Sequence, residues 1–260
     1  MMAAIVDTGT QIFGVDDAEL RKLRHDPTEL LSRAIQPALW LLLFGQVMAH
    51  VRGLSSGTTR YLDFMAPGIL AQSVLFVAIF YGISSIWERD LGIVHRYLAS
   101  PAPRAALVLG KALSAGVRSL SQAVVVYALA LVLGIHLSFA PLHVAAVILF
   151  ISLGAALFCM FSLIMACLVR TRERFMGIGQ ALTMPIFFAS NAIYPISLMP
   201  TWLQTISRLN PLTYEVDGLR AFMLSNGTSK IGVSLDFAVL IMVLMVLLTI
   251  AARLYPRMGQ

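Results

Sequence analysis

Residues 142–168 read LHVAAVILFISLGAALFCMFSLIMACL, an apolar run without a single Asp, Glu, Lys or Arg. A bilayer's hydrocarbon core of about 30 Å is crossed by about 20 apolar residues in an α-helix. This stretch is long enough to span. Working outward, five more runs of the same kind lie at about 33–51, 64–87, 111–134, 175–197 and 235–254. The chain of 260 residues is 58% hydrophobic and 12% charged, and its mean hydropathy is +0.83. The fold expected from this pattern is all-α and integral to a membrane, with six transmembrane helices in one bundle. The domain boundaries follow: residues 1–32 before the bundle, 33–254 within it, and 255–260 as a tail. No room is left for a separate ATP-binding or catalytic domain. The function classes that remain are transport, signalling and chemistry on lipid-soluble substrates.

The net charge of +6 does not point to nucleic acid, because no basic stripe interleaved with aromatics occurs. Basic residues instead follow the loops. Arg21, Lys22, Arg24, Arg33, Arg89, Arg96, Arg104, Lys111, Arg170, Arg172, Arg174, Arg253 and Arg257 fall on one side of the expected spans. Arg52, Arg60, Arg208, Arg220 and Lys230 fall on the other. Cytoplasmic loops carry the excess of Lys and Arg, so both termini are expected in the cytoplasm, which suits an even number of spans. Arginine greatly outnumbers lysine, as in chains from GC-rich bacterial genomes. The expected location is a bacterial plasma membrane. Residues 1–30 do not read as a secretory signal, since Asp16, Asp17, Glu19, Asp26 and Glu29 interrupt them.

Three connecting segments have a pattern of their own. Residues 16–26 form an expected amphipathic helix, with Asp16 and Glu19 as a capping box, Leu20 and Leu23 on one face, and Arg21, Lys22 and Arg24 on the other. Pro27 ends it. A helix lying in the membrane interface and an ordinary solvated helix both fit. After the second span comes WERDLGIVHRYLASP, residues 87–101, in which Leu91, Val94 and Leu98 make one apolar face. That short helix either lies along the membrane or docks into a partner protein. Before the last span, Asn210 reads as a helix cap and Pro211 as the first helical position. Leu212, Val216, Leu219 and Met223 form a stripe, with Glu215, Asp217 and Arg220 on the remaining face. An amphipathic helix at, or dipping into, the outer leaflet is expected there.

Several chemistries are missing. Gly110-Lys111 is the only Gly-Lys pair, and Ala105 and Ala112 stand where a phosphate-binding loop needs glycine and a hydroxyl. No acid lies at the centre of any span, which argues against an ion-coupled carrier. No nucleophile–base pair marks an enzyme, and neither a metal nor another cofactor is expected in this chain. Cys159 and Cys167 lie about 12 Å apart along one helix, too far for a disulfide.

Four stretches together resemble the permease subunits of type-2 ABC exporters, in the daunorubicin-resistance-like drug and lipid branch. They are Arg24 to Pro27 leading into Ile35 to Gly45, then Ala66 to Leu70, then Glu88 to Gly92 with Ser100-Pro101 and Leu109 to Lys111, and finally Asn210 to Arg220. The resemblance implies a transporter of two six-span permeases, identical or paralogous, with two separate ATP-binding subunits that hold ATP and Mg. It makes residues 16–26 the connecting helix, with Leu20, Arg21, Leu23 and Arg24. It makes 89–100 the cytoplasmic coupling helix, where Glu88, Arg89, Asp90, Leu91, Val94, Arg96 and Leu98 meet the ATPase.

The substrate class expected is an amphipathic drug, lipid or lipid-linked metabolite, moved out of the cytoplasm or inner leaflet. A polysaccharide or glycolipid exporter is the alternative within the fold, and a membrane scaffold or immunity protein without an ATPase the alternative outside it. Candidates by residue type for a substrate path are Phe76, Phe80, Gln122, Phe187 and Asn191; packing among helices explains the same residues equally well. Arg118 inside the third span either snorkels to the cytoplasmic interface or meets acidic groups of substrate or partner.

Overall fold

The computed structural model describes residues 35–49, 61–92, 104–169 and 171–256. Helix α1 covers 35–49 and contains a π-helical segment, Trp40–Phe44. It is followed by α2 (Tyr61–Asp90), α3 (Arg104–Val132), α4 (Pro141–Leu168), α5 (Arg172–Phe188), α6 (Thr201–Leu209), α7 (Pro211–Met223) and α8 (Val233–Leu254). Among the described residues there is no strand, only an isolated bridge between Leu137 and Leu224. The all-helical expectation therefore holds for this part of the chain. The expected helix at 16–26, with Leu20, Arg21, Leu23 and Arg24, lies outside the described residues; of the helix expected at 89–100, Arg89 and Asp90 instead close α2, Leu91 and Gly92 form a turn, and the rest, with Val94, Arg96 and Leu98, lies outside the described residues.

Among the described residues four helices, α2, α3, α4 and α8, are long and apolar enough to cross a membrane. Of the run expected at 33–51, residues 35–49 are described, and they form α1. The run expected to continue to 197 stops at Phe188, the end of α5. Side chains compete with the helix beyond that point. The Ser190 hydroxyl donates to the Phe187 carbonyl, and Tyr194 donates to that of Phe188.

The two ends of the bundle are set by their contacts. At one end, the last turn of α2 meets Lys111 of α3 and Arg172 of α5; this is the basic end. At the opposite end, Tyr61 donates to the Ile193 carbonyl, and Ser138 pairs with Met223. Helix α4 is central and packs on α2, α3, α7 and α8. Its contact with α2 is close: the Ser162 hydroxyl bonds the Ile79 carbonyl, and Gly82 leaves room for it. Helix α3 ends in a Schellman turn, in which Ile135 N–H reaches the Ala130 carbonyl and Gly134 N–H that of Leu131. Gly134 occupies the left-handed position, at φ 67°.

The expected cap at Asn210 is present. Its side chain accepts from Leu212 N–H at 3.0 Å, while its amide donates to the Ile186 carbonyl at 2.6 Å. It ties the start of α7 to α5. The expectation of a charged outer face on α7 is corrected. The Leu212, Val216, Leu219 and Met223 stripe is buried, but Glu215 and Asp217 are also 0% exposed and Arg220 only 6%. At 3.6 residues per turn, Glu215 and Asp217 stand about 200° apart, so no single polar face can hold both. Helix α7 runs antiparallel to α4, with Gly218 against the Phe150 ring and Glu215 against Gly154. An acid thus lies at the middle of α4, supplied by the connection rather than by a span.

Candidate functional site: the basic end of the bundle

The last turn of α2 presents Ser85, Glu88, Arg89 and Asp90. Ser85 and Glu88 share one neighbour, and Arg89 and Asp90 each have another. The Lys111 ammonium of α3 donates to Glu88 Oε2 at 2.6 Å and to the Ser85 hydroxyl at 3.1 Å. A charge-assisted bond this short, with Lys111 largely covered, is among the stronger polar links in a bundle. Arg89 donates to the Val169 carbonyl at 3.2 Å, just past the end of α4. Arg172, the first residue of α5, bonds Asp90 Oδ2 through Nε at 3.1 Å and through an Nη at 2.7 Å. The same guanidinium lies 4.1 Å from the centre of the Trp87 ring. One helical turn is therefore fastened to α3, to the end of α4 and to the start of α5.

Beyond Asp90 the helix stops. Gly92 takes φ 71° and its N–H returns to the Arg89 carbonyl, leaving Leu91 exposed at the turn. Glu88, Arg89, Asp90 and Leu91 thus stand at the root of the segment expected to meet a partner. Sequence reasoning singled out three of these charges but missed Arg172 and Trp87 as their partners. Their signal was weak, because the loop 169–174 is short and its arginines read only as topology markers.

The path candidates do not form one surface. Phe76 and Phe80 stack with ring centres 5.9 Å apart and are half-buried on α2. Gln122 is buried on α3, and Phe187 and Asn191 are buried toward the opposite end. The Asn191 carbonyl accepts from Arg220 at 2.9 Å, and Phe187 packs on Trp40. Arg118 places its guanidinium 4.9 Å from the centre of the Tyr81 ring.

A second polar cluster closes the opposite end. Asp217 Oδ2 accepts from Ser229 Oγ at 2.7 Å and from the N–H groups of Lys230 and Ile231, each at 2.9 Å. Its other oxygen stands 3.7 Å from Arg220 Nη1, and Arg220 lies over the Phe64 ring at 4.0 Å. Among the described residues no group of His, Cys, Asp and Glu could hold a metal ion, and neither Cys159 nor Cys167 forms a disulfide.

A bundle of long apolar helices with its polar links gathered at its ends is the architecture of an integral membrane protein. Residues 10–224 match the family of ABC-2 type transporters, and the chain belongs to that family. Among its relatives, the ycf38 protein of Cyanophora paradoxa, a transport permease by its name, is 32% identical over 76% of this chain and 69% of its own. The daunorubicin resistance ABC transporter permease protein DrrB1 of Streptomyces coeruleorubidus is 25% identical over 77% of this chain and 70% of its own. The inner membrane transport permease YadH of Escherichia coli K12 is 25% identical over 88% and 87%. The relatives are named as transport permeases, and the resemblance read from the four sequence stretches holds.

Proposed function

We propose that this chain is the membrane-spanning subunit of an ATP-driven exporter of amphipathic drugs, lipids or lipid-linked metabolites. Six spans cross the bilayer: α2, α3, α4 and α8, with α1 and α5 completing the set. Both termini and the basic end face the cytoplasm, in accord with the distribution of Lys and Arg. Two such permeases work with two ATP-binding subunits, which carry the nucleotide and its Mg.

One observation carries the coupling role. The last turn of α2 is fastened to α3 by Glu88–Lys111, to the end of α4 by Arg89 and to α5 by Asp90–Arg172. A push delivered by an ATPase to the segment after Asp90 would move three helices together. Such coupling needs an element whose position both partners bias, and the three links support that role for this turn. The relative named for daunorubicin resistance supports an amphipathic drug as cargo.

The test is co-expression with the ABC ATP-binding subunits of the same organism, followed by detergent co-purification and an ATPase assay. The expected result is a stoichiometric complex in which Arg89→Ala leaves assembly intact but separates ATP hydrolysis from export. A chain that purifies without any ATPase overturns the proposal and favours a scaffold.

A further inference from the structure

The lack of an acid at the centre of any span argued against ion coupling, yet α7 brings one there from outside the spans. The Glu215 carboxyl lies against Gly154 of α4. That position is about 21 Å along α4 from Leu168 at the basic end. Along α7 it is about 12 Å from Met223 at the opposite end. Glu215 is 0% exposed. Neither of its oxygens has a hydrogen-bond partner among the described residues. The coupling role at the basic end makes no use of it.

Helix α7 packs on α2, α4, α6 and α8, and the charged groups of all four are engaged or placed elsewhere. Helix α4 carries none. Its His143 is bonded to Ser138, Cys159 is directed at the Lys111 carbonyl, and Cys167 lies in the last turn. On α2, Asp63 stands 3.9 Å from His136, while Glu88, Arg89 and Asp90 belong to the basic end. The Tyr61 hydroxyl donates to the Ile193 carbonyl, and the Tyr81 ring lies under Arg118. On α8, Asp236 accepts from Ser229, and Arg253 is in the last turn. Arg208 ends α6. On α7 itself, Asp217 and Arg220 face each other at 3.7 Å, and Tyr214 donates to the Arg208 carbonyl.

An ionised carboxyl enclosed without a partner is far costlier than the neutral acid. Burial holds the pKa of Glu215 well above the ordinary carboxylate value. A metal ion would need several oxygen ligands, and the glycine facing this carboxyl has no side chain to give. A proton needs only the carboxyl.

We propose that Glu215 is a proton-binding site of the bundle: the carboxylate takes up one proton as α7 docks on α4 and returns it to solvent when α7 withdraws. The sign of the linkage follows. The docked state binds the proton more tightly than the undocked one. Its stabilisation is therefore complete at acidic pH, and it is lost as pH rises through the pKa of the docked carboxyl. As a control on export the site rests on the exporter reading, since α7 would have to leave α4 during the cycle. Proton binding itself needs neither ATPase nor transport, so each can fail without the other.

Infrared spectroscopy reads the protonated carboxyl directly. The full chain is purified in detergent with isotope-labelled glutamate, and its spectrum is titrated from acidic to alkaline pH. A label-shifted acid carbonyl band should persist at neutral pH, where ordinary glutamates are ionised, and should disappear at higher pH. Glu215→Gln should lack it. The melting temperature of the unsubstituted protein should fall over the pH interval in which the band is lost, and Glu215→Gln should lack that fall.

A spectrum in which every glutamate is ionised at neutral pH overturns the proposal and requires no variant. So does an acid band that survives Glu215→Gln. Conversion of the band to carboxylate on adding sodium, potassium or magnesium at constant pH would assign the site to a metal cation instead. An identical pH dependence of melting in the two proteins would separate the proton from docking, and the proposal would fail there too.

Discussion

The Glu215 carboxylate lies against Gly154 so closely that a methyl group on that glycine would overlap it. Helix α7 reaches the middle of α4 only because position 154 has no side chain. Gly154→Ala should destabilise the protein by about 1–3 kcal/mol, the usual cost of overpacking. Thermal unfolding in detergent measures it. Gly110→Ala is the control, because nothing stands within 4 Å of a methyl group there. Equal melting temperatures for the two variants would refute the close approach.

The Glu88–Lys111 pair predicts a stability effect separate from any transport defect. Glu88→Ala leaves a largely covered ammonium without its carboxylate, at a cost of about 1–3 kcal/mol. Glu88→Ala combined with Lys111→Met should cost less than the two single changes together, giving a clear coupling in a double-mutant cycle. Additive losses would show that the two side chains do not act together. Arg89→Ala is the cleaner probe of coupling, as it leaves this pair in place.

Asp90 and Arg172 are more exposed, and their pair should add no more than about 1 kcal/mol to stability. Its role is to join α2 to α5. Asp90→Arg and Arg172→Asp should each reduce export at equal expression, and the two together should restore part of it. An export assay in cells decides this, and a double variant as poor as either single one counts against the linkage.

Asp217 holds three donors from residues 229–231 and faces Arg220. Asp217→Ala strands a buried arginine and should cost about 3–5 kcal/mol. A change in melting temperature as small as that of Gly110→Ala would remove the cluster's structural importance.

The orientation of the bundle gives a further prediction. After replacement of both cysteines by alanine, Phe139→Cys should react with a membrane-impermeant maleimide in intact cells. Leu91→Cys should react only after permeabilisation. The reverse pattern would invert the proposed topology.

Hydropathy found the helices because an unbroken apolar run leaves the chain few alternatives in lipid. Thus 142–168 became Pro141–Leu168 and 235–254 became Val233–Leu254. The Asn210 cap was legible from two adjacent residues. What escaped was depth. Glu215, Asp217 and Arg220 looked solvated because charge is read as exposure when partners are unknown; the partners of Asp217 lie at 229–231 and that of Arg220 at Asn191, while Glu215 is buried against Gly154. A signal was present in the helical angle between Glu215 and Asp217, and in the small residues Gly154 and Gly218 that allow close packing. At the basic end, Glu88, Arg89 and Asp90 were visible, whereas Trp87–Arg172 joins residues too far apart in sequence for any local pattern to reveal.

The cluster around Asp217 also constrains biogenesis. Its carboxylate finds its donors 12 to 14 residues further along the chain, at 229–231, before the final span has been made. Asp217 can therefore leave the ribosome with its donors already within reach. Glu215 has no such local help: neither of its oxygens has a hydrogen-bond partner among the described residues. It must wait for α4, already in the bilayer, to receive it. Insertion of this region is thus a docking step onto an earlier helix, and a translocation machine reading residues one span at a time would not complete it alone.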